Sequence, residues 1–494
     1  MNRRLVLVMA WGGPALAAAA AVAGCWPLDY SEDCELCESA GTTTGGGGGG
    51  GAGGGSGAGG APSVTELFVN PVDGNDDAAG TEDAPLKTMR KALSIATGGQ
   101  TIHLFAGTYD AASGEDFTTP AADGVTIAAV VPGDAILVGS GAETALSFSG
   151  GGAARDLRVE GFAIGVTAAA GAVALQGFEL TGNGTAIWLE GAAGVVLKSS
   201  SIIGGGAGLA LSDSARLTML GGEIREVGAD CDAKAVRLVG AAWLTLDGVN
   251  LHDGLGNVQV GNATHATMTG CTVNALGCEQ VVTLHQAAVL ELEQTAIEQG
   301  VLGDSWGTAI AADPESEVSI VGGSLFAAYR GIDGGNSVHV EGATISGANG
   351  ADFGVRPGPG GYVTLLNVGL LGFATGLDLG SGFGQIRGCG ISGNGTGVRV
   401  VNGHVDLGSA ANPGGNVIQG NSEAGFVVAG STAWEHAAVG NTWMGLNQGT
   451  NDAGHFPLGT TVSWPFGTSG PAPHNVVVES PGPSVKLSSD VVGP

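Results

Sequence analysis

The chain predicts an all-β solenoid, a single-stranded parallel β-helix of about 22–28 residues per coil, on three observations. First, an aliphatic anchor returns at Leu180, Ile202, Ile224, Leu251, Val273, Ile297, Leu325, Ile345, Leu370 and Ile391, in steps of 22, 22, 27, 22, 24, 28, 20, 25 and 21 residues. Second, two short alternating segments follow each anchor. Ile187-Trp188-Leu189 and Val398-Arg399-Val400 exemplify the middle segment, Leu244-Thr245-Leu246 and Val363-Thr364-Leu365 the third. Apolar outer residues around a more polar centre mark a half-buried strand, not a helix. Third, glycine fills the corners: 94 of 494 residues are Gly, a composition that helical repeats do not sustain. Ten coils at one strand spacing each would extend about 50 Å, around an aliphatic core that no coil could bury alone.

Residues 1–24 read as a signal peptide: Arg3 and Arg4 form a basic start, an alanine-rich apolar stretch follows, and it ends in Val22-Ala23-Gly24-Cys25. That ending resembles the lipobox of bacterial lipoproteins. The resemblance implies that Cys25 is the first mature residue and carries lipid, a stable anchor to the membrane. The expected location is therefore the cell envelope, as an outer-membrane or cell-surface lipoprotein. Residues 25–61 form the tether. Its acidic part holds Cys34 and Cys37, read as a local disulfide or an inert pair, and 45–60 is almost pure Gly. Such a coil has an r.m.s. span of roughly 20–25 Å.

Residues 62–125 form an N-terminal cap with the first coils, and 126–494 the β-helix with a C-terminal cap. Within PLKTMRKALSIA, Leu86, Met89, Leu93 and Ala96 share one helical face, with Pro85 as first helical residue and Gly98 as stop. A short helix there would cover the open end of the solenoid.

The order Val69, Gly74, Asp76, Gly80, Thr81, Pro85, Thr88, Ala92, Ala96, Gly99, Ile102, Gly107, Tyr109 resembles the opening of bacterial pectin-lyase-like β-helix proteins, in particular the family known as domain of unknown function 1565. The phrases at 393–400, 413–418 and 440–443 resemble its later part, so the likeness runs from 66 to about 456. It implies a right-handed coil. It implies no reaction, because enzymes and non-enzymes share this opening.

Charge narrows the function. With 17 basic and 46 acidic residues the net charge is −29, which disfavours nucleic acid and, without a bridging cation, polyanionic glycans. It suits a self-repelling, monomeric protein. The outward middle-strand column reads Trp188, Ala210, Arg237, Gln259, Thr283, Ala311, Asp333, Gly354, Asp378, Arg399. Asp333 and Asp378 stand two rungs apart, about 10 Å, with Arg399 one rung on; two carboxylates flanking a glycosidic bond and a basic proton abstractor are the groups polysaccharide cleavage needs. Trp188, Arg237 and Gln259 form a sugar platform, the ring for stacking and the polar groups for hydroxyls. Asp73, Asp76 and Asp77 crowd one Gly-containing turn, an oxygen-rich loop suited to calcium, the one cofactor indicated. His265 and His285 share a corner of successive coils, as a metal pair or a surface pair. Cys231 and Cys278 lie in turns two rungs apart, leaving a disulfide between them open. Cys271 and Cys389 share a column five rungs apart and read as small core residues. The function expected is a binding or structural role at the envelope, with a polysaccharide as ligand; the alternative is a polysaccharide lyase or glycoside hydrolase with an atypical site.

Overall fold

The computed structural model describes residues 66–228, 233–254, 257–276, 279–300, 307–444, 461–463 and 474–487. Cys25, Cys231, Cys278, the signal segment and the tether lie outside them.

The described part is a parallel β-helix. Each coil contributes one strand to each of three parallel arrays, here called the anchor, middle and third sheets. The ten anchors stand in one unbroken column, each the register partner of the next. The column continues to Val159, Leu137 and Tyr109 on one side and to Ile418 and Trp443 on the other. Every member is buried. Each aliphatic side chain so removed from water is worth about 1.5–3 kcal/mol, and the next rung completes its burial.

The corners explain the glycine. At Gly222, φ is +98°, and a Cβ would fall 2.1 Å from the Ser200 carbonyl oxygen of the rung below, so only glycine allows these turns to stack. Elsewhere buried amides staple successive corners. Asn394 Oδ1 accepts from the Phe373 N–H at 3.1 Å, and its Nδ2 donates to the Leu370 carbonyl at 3.2 Å and to Asn421 Oδ1 at 3.1 Å. Cys271 and Cys389 are free and buried, as small core residues should be.

The helix spans Met89–Ile95, shorter than the sequence suggests, and packs on the first two strands of the third sheet, Glu66–Val69 and Thr101–Leu104. The apolar face is as expected, with Leu86, Met89, Leu93 and Ala96 buried. Pro85 is not its first residue. Asp76 accepts from the Lys87 and Thr88 N–H groups at 3.0 and 2.9 Å and holds Thr88 extended, so Thr88 becomes the N-cap and its hydroxyl accepts from the Lys91 N–H at 3.1 Å. Buried Glu115 takes the next two, Met89 N–H at 2.6 Å and Arg90 N–H at 2.9 Å. At the other end Thr461–Ser463 runs antiparallel beside Ser484–Leu487, covering the edge of that strand. No helix among the described residues is long and apolar enough to cross a membrane.

Candidate functional site

Outward side chains of the middle sheet form one column, and register fixes its members. Trp188, Ala210, Arg237, Gln259, Thr283, Ala311 and Asp333 are successive partners. The next rung differs from the sequence reading. The strand Thr344–Arg356 takes five residue steps from Ser346 to Ala351 where the next strand takes two, Leu371 to Phe373, so the outward position falls beyond Gly354. Asp333 therefore faces Arg356, not Gly354. Val355 pairs Leu377, which sets Arg356 beside Asp378, and Asp378 faces Arg399. Four rungs alternate in sign: Asp333, Arg356, Asp378, Arg399.

Two arginines satisfy Asp333, one on the next rung and one on its own strand. Arg356 donates to it from Nε at 3.0 Å and from Nη2 at 2.9 and 3.0 Å, a fork geometry. Arg330 adds Nη1 at 3.3 Å and reaches Asp352 with Nε at 3.3 Å. Both guanidinium groups lie over the buried Phe353 ring, Arg356 at 4.0 Å and Arg330 at 5.2 Å. Asp333 is thus an ion-pair centre before it is a free acid or base. Asp378 accepts from the Gly380 N–H at 3.2 Å. Arg399 is exposed, and no ion pair among the described residues engages its guanidinium.

Trp188 is 42% exposed, with Ala210 next to it and the exposed Arg237 on the rung beyond. Its indole is open on a face of small and polar neighbours. Gln259 is the next partner.

The other candidates separate. Asp76 is committed to Thr88 and the helix start, its Oδ2 accepting from the Thr88 hydroxyl at 2.8 Å. Asp73, Asp76 and Asp77 do not converge: among the described residues no three His, Cys, Asp or Glu side chains gather to hold a metal ion. His265 and His285 do not share a corner. His265 opens the strand His265–Thr269, stacks on Trp243 at 4.5 Å and pairs Glu291 at 3.0 Å; His285 follows the middle strand Gln280–Leu284 and lies 3.4 Å from Asp313.

Sequence reasoning missed a column. The third strands begin one residue before the apolar-polar-apolar triplet, and that leading residue also points outward. It is Arg216, Trp243 and His265 in one stretch, Tyr362, Phe383 and His404 in another. The signal was an aromatic or histidine two residues before the outward centre, at Trp243, His265, Tyr362, Phe383 and His404.

The family model described as protein of unknown function (DUF1565) matches residues 72–276, within the span over which the sequence resembles that family. A pectate lyase, PEL9, of Emericella nidulans is 49% identical over 53 residues, 11% of this chain and 13% of that protein, so the chain spans a small part of the relative's length. Among solved structures, the chain is similar to the GH136 lacto-N-biosidase of Eubacterium ramulus (8% identity, 57% of this chain and 64% of that one, TM-score 0.37). It is also similar to an A-module of a mannuronan C-5 epimerase from Azotobacter vinelandii (14% identity, 86% and 100%, TM-score 0.28). The fold is a pectin-lyase-like parallel β-helix.

Proposed function

We propose that this chain is a carbohydrate-binding β-helix, held at the cell envelope by a lipid on Cys25. The observation that carries the reading is on the middle sheet. Its strongest charges pair with one another, whereas the Trp188 ring stays open beside small residues and an exposed arginine. A ring flanked by hydrogen-bonding groups binds the apolar face and the hydroxyls of a sugar together. The pectate lyase, lacto-N-biosidase and epimerase named above act on carbohydrates by their names, which agrees with a saccharide ligand.

A polysaccharide lyase or glycoside hydrolase is the second reading. It is favoured by Arg399, an exposed guanidinium one rung from Asp378. Catalysis there would use Asp378 and Arg399 directly, with Asp333 acting through Arg356. Calcium would enter only with the substrate's own carboxylates as ligands.

The test incubates the full chain with neutral and acidic polysaccharides, with and without calcium, and follows polymer size by chromatography. Binding predicts unchanged polymer length, co-elution with one glycan, and weaker co-elution in Trp188→Ala. Shortened chains, abolished by Arg399→Ala, would replace this reading with the second.

A further inference from the structure

The leading column of the third sheet carries an aromatic array in the C-terminal coils. Tyr362, Phe383 and His404 face one another on three successive rungs, about 4.8 Å per rung. Trp434, just before the strand Glu435–Ala438, sets its ring at 86° to Phe383 with centroids 6.3 Å apart, and at 61° to His404 at 5.3 Å. Tyr362, Phe383 and Trp434 are exposed by 46%, 37% and 41%, so three large rings face solvent on one side of adjacent coils.

A polar column runs beside them, two residues along each strand: Thr364, Gln385, Asp406. Asp406 is occupied, accepting from Arg387 Nη2 at 2.6 Å and the Gly408 N–H at 2.8 Å. Gln385 has no hydrogen-bond partner among the described residues, so its amide offers a donor and an acceptor on the same face as the rings.

The chemistry selects the occupant. A lipid surface or an apolar protein partner needs a continuous apolar patch, and here a polar side chain follows each ring two residues on. A sugar matches both columns: its C–H face stacks on a ring while its hydroxyls bond an amide. The exposed Glu435 stands on the rung next to His404, and the chain carries −29 overall, so carboxylate-bearing or sulfated glycans are repelled. We infer that this face is a second carbohydrate site, on a different sheet from Trp188. Its ligand is a neutral oligosaccharide, stacked on Phe383 and Trp434 and hydrogen-bonded by Gln385. The two sites share no residue, and each stands or falls alone.

The experiment titrates the full chain with fluorescently labelled cellohexaose, xylohexaose, mannohexaose and maltohexaose, and with a galacturonate hexamer as acidic control. The expected result is saturable binding of at least one neutral hexaose. Phe383→Ala and Trp434→Ala each weaken it about tenfold and Gln385→Ala several-fold; Phe383→Tyr, which keeps the ring, loses less than about threefold, Trp188→Ala still shows a saturable phase, and Ser319→Ala, on the same sheet away from the rings, leaves it unchanged. Circular dichroism and thermal midpoints establish that each variant is folded, and Phe383→Tyr separates loss of the ring from loss of the fold. Four results would overturn the inference: no saturable neutral hexaose, binding of the galacturonate hexamer alone, neutral binding unchanged in Phe383→Ala and Trp434→Ala, or neutral binding lost in Trp188→Ala alone. The last places the sugar on the middle sheet and leaves the proposed function intact.

Discussion

Two outward faces of the same coils solve opposite problems. On the middle sheet, successive rungs present Asp333, Arg356, Asp378 and Arg399, and Asp333 and Arg356 close on one another. On the third sheet, successive rungs present Tyr362, Phe383 and His404, with Trp434 beside them, and the rings stay open. A parallel β-helix repeats each position every rung. Alternating signs in one column therefore neutralise the face, whereas repeated aromatics leave a surface for something else. The first arrangement ties adjacent rungs together, and the second leaves rings open for the sugar proposed above.

The largest effect should come from breaking what both faces share. Leu365 is fully buried between the outward Thr364 and Leu366, in the aliphatic stack under the third sheet. Leu365→Ala should destabilise by about 2–5 kcal/mol in denaturant titration and disturb both faces together. A loss below about 1 kcal/mol would mean that each coil holds itself.

Protonation should distinguish the faces next. His436 lies under the aromatic side, stacked on His404 at 5.3 Å and accepting from the Val405 N–H at 3.3 Å. Burial, then the charge of His404, pushes its pKa from 6.5 down to about 4. The unfolded chain binds that proton first, so the stabilisation is complete above pH 6.5 and is lost as pH falls through about 4. The whole step is worth about 3 kcal/mol. Denaturation midpoints at pH 7 and pH 4 should show this loss, and His436→Gln should remove most of the difference. An unchanged pH slope in that variant would assign the acid sensitivity elsewhere.

The charged face should respond more modestly. Asp333→Asn should cost about 1–2 kcal/mol, because the pair is only partly shielded from water. A double-mutant cycle with Arg356→Gln should give a coupling of about 1 kcal/mol that shrinks in high salt. Zero coupling would make the ladder a geometric coincidence. The smallest effect belongs to the open face. Phe383→Ala should change stability by no more than about 0.5 kcal/mol. A large loss would show that the aromatic array belongs to the fold.

The sequence announced the ten anchors in full, because an aliphatic residue needed in every coil leaves a period that survives turns of unequal length. It also announced the Trp188-to-Asp333 column, where strand alternation is unbroken. It failed at Arg356. The extra residues between Ser346 and Ala351 shift the frame, and nothing local marks how many a corner will absorb. It misjudged the helix start, because Pro85 fits a first helical position and only the distant Asp76 carboxylate shows why Thr88 stays extended and the helix begins after it. The aromatic array went unseen because each ring lies outside the alternating triplet that identified its strand.

The proposed function has this β-helix hold a glycan without cutting it. The most direct measurement is size-exclusion chromatography of the full chain mixed with a neutral polysaccharide, with and without calcium, reading protein and polymer in the same run. The protein should shift to the polymer's elution volume while the polymer keeps its length. Progressive shortening of the polymer would contradict it and direct attention to Asp378 and Arg399.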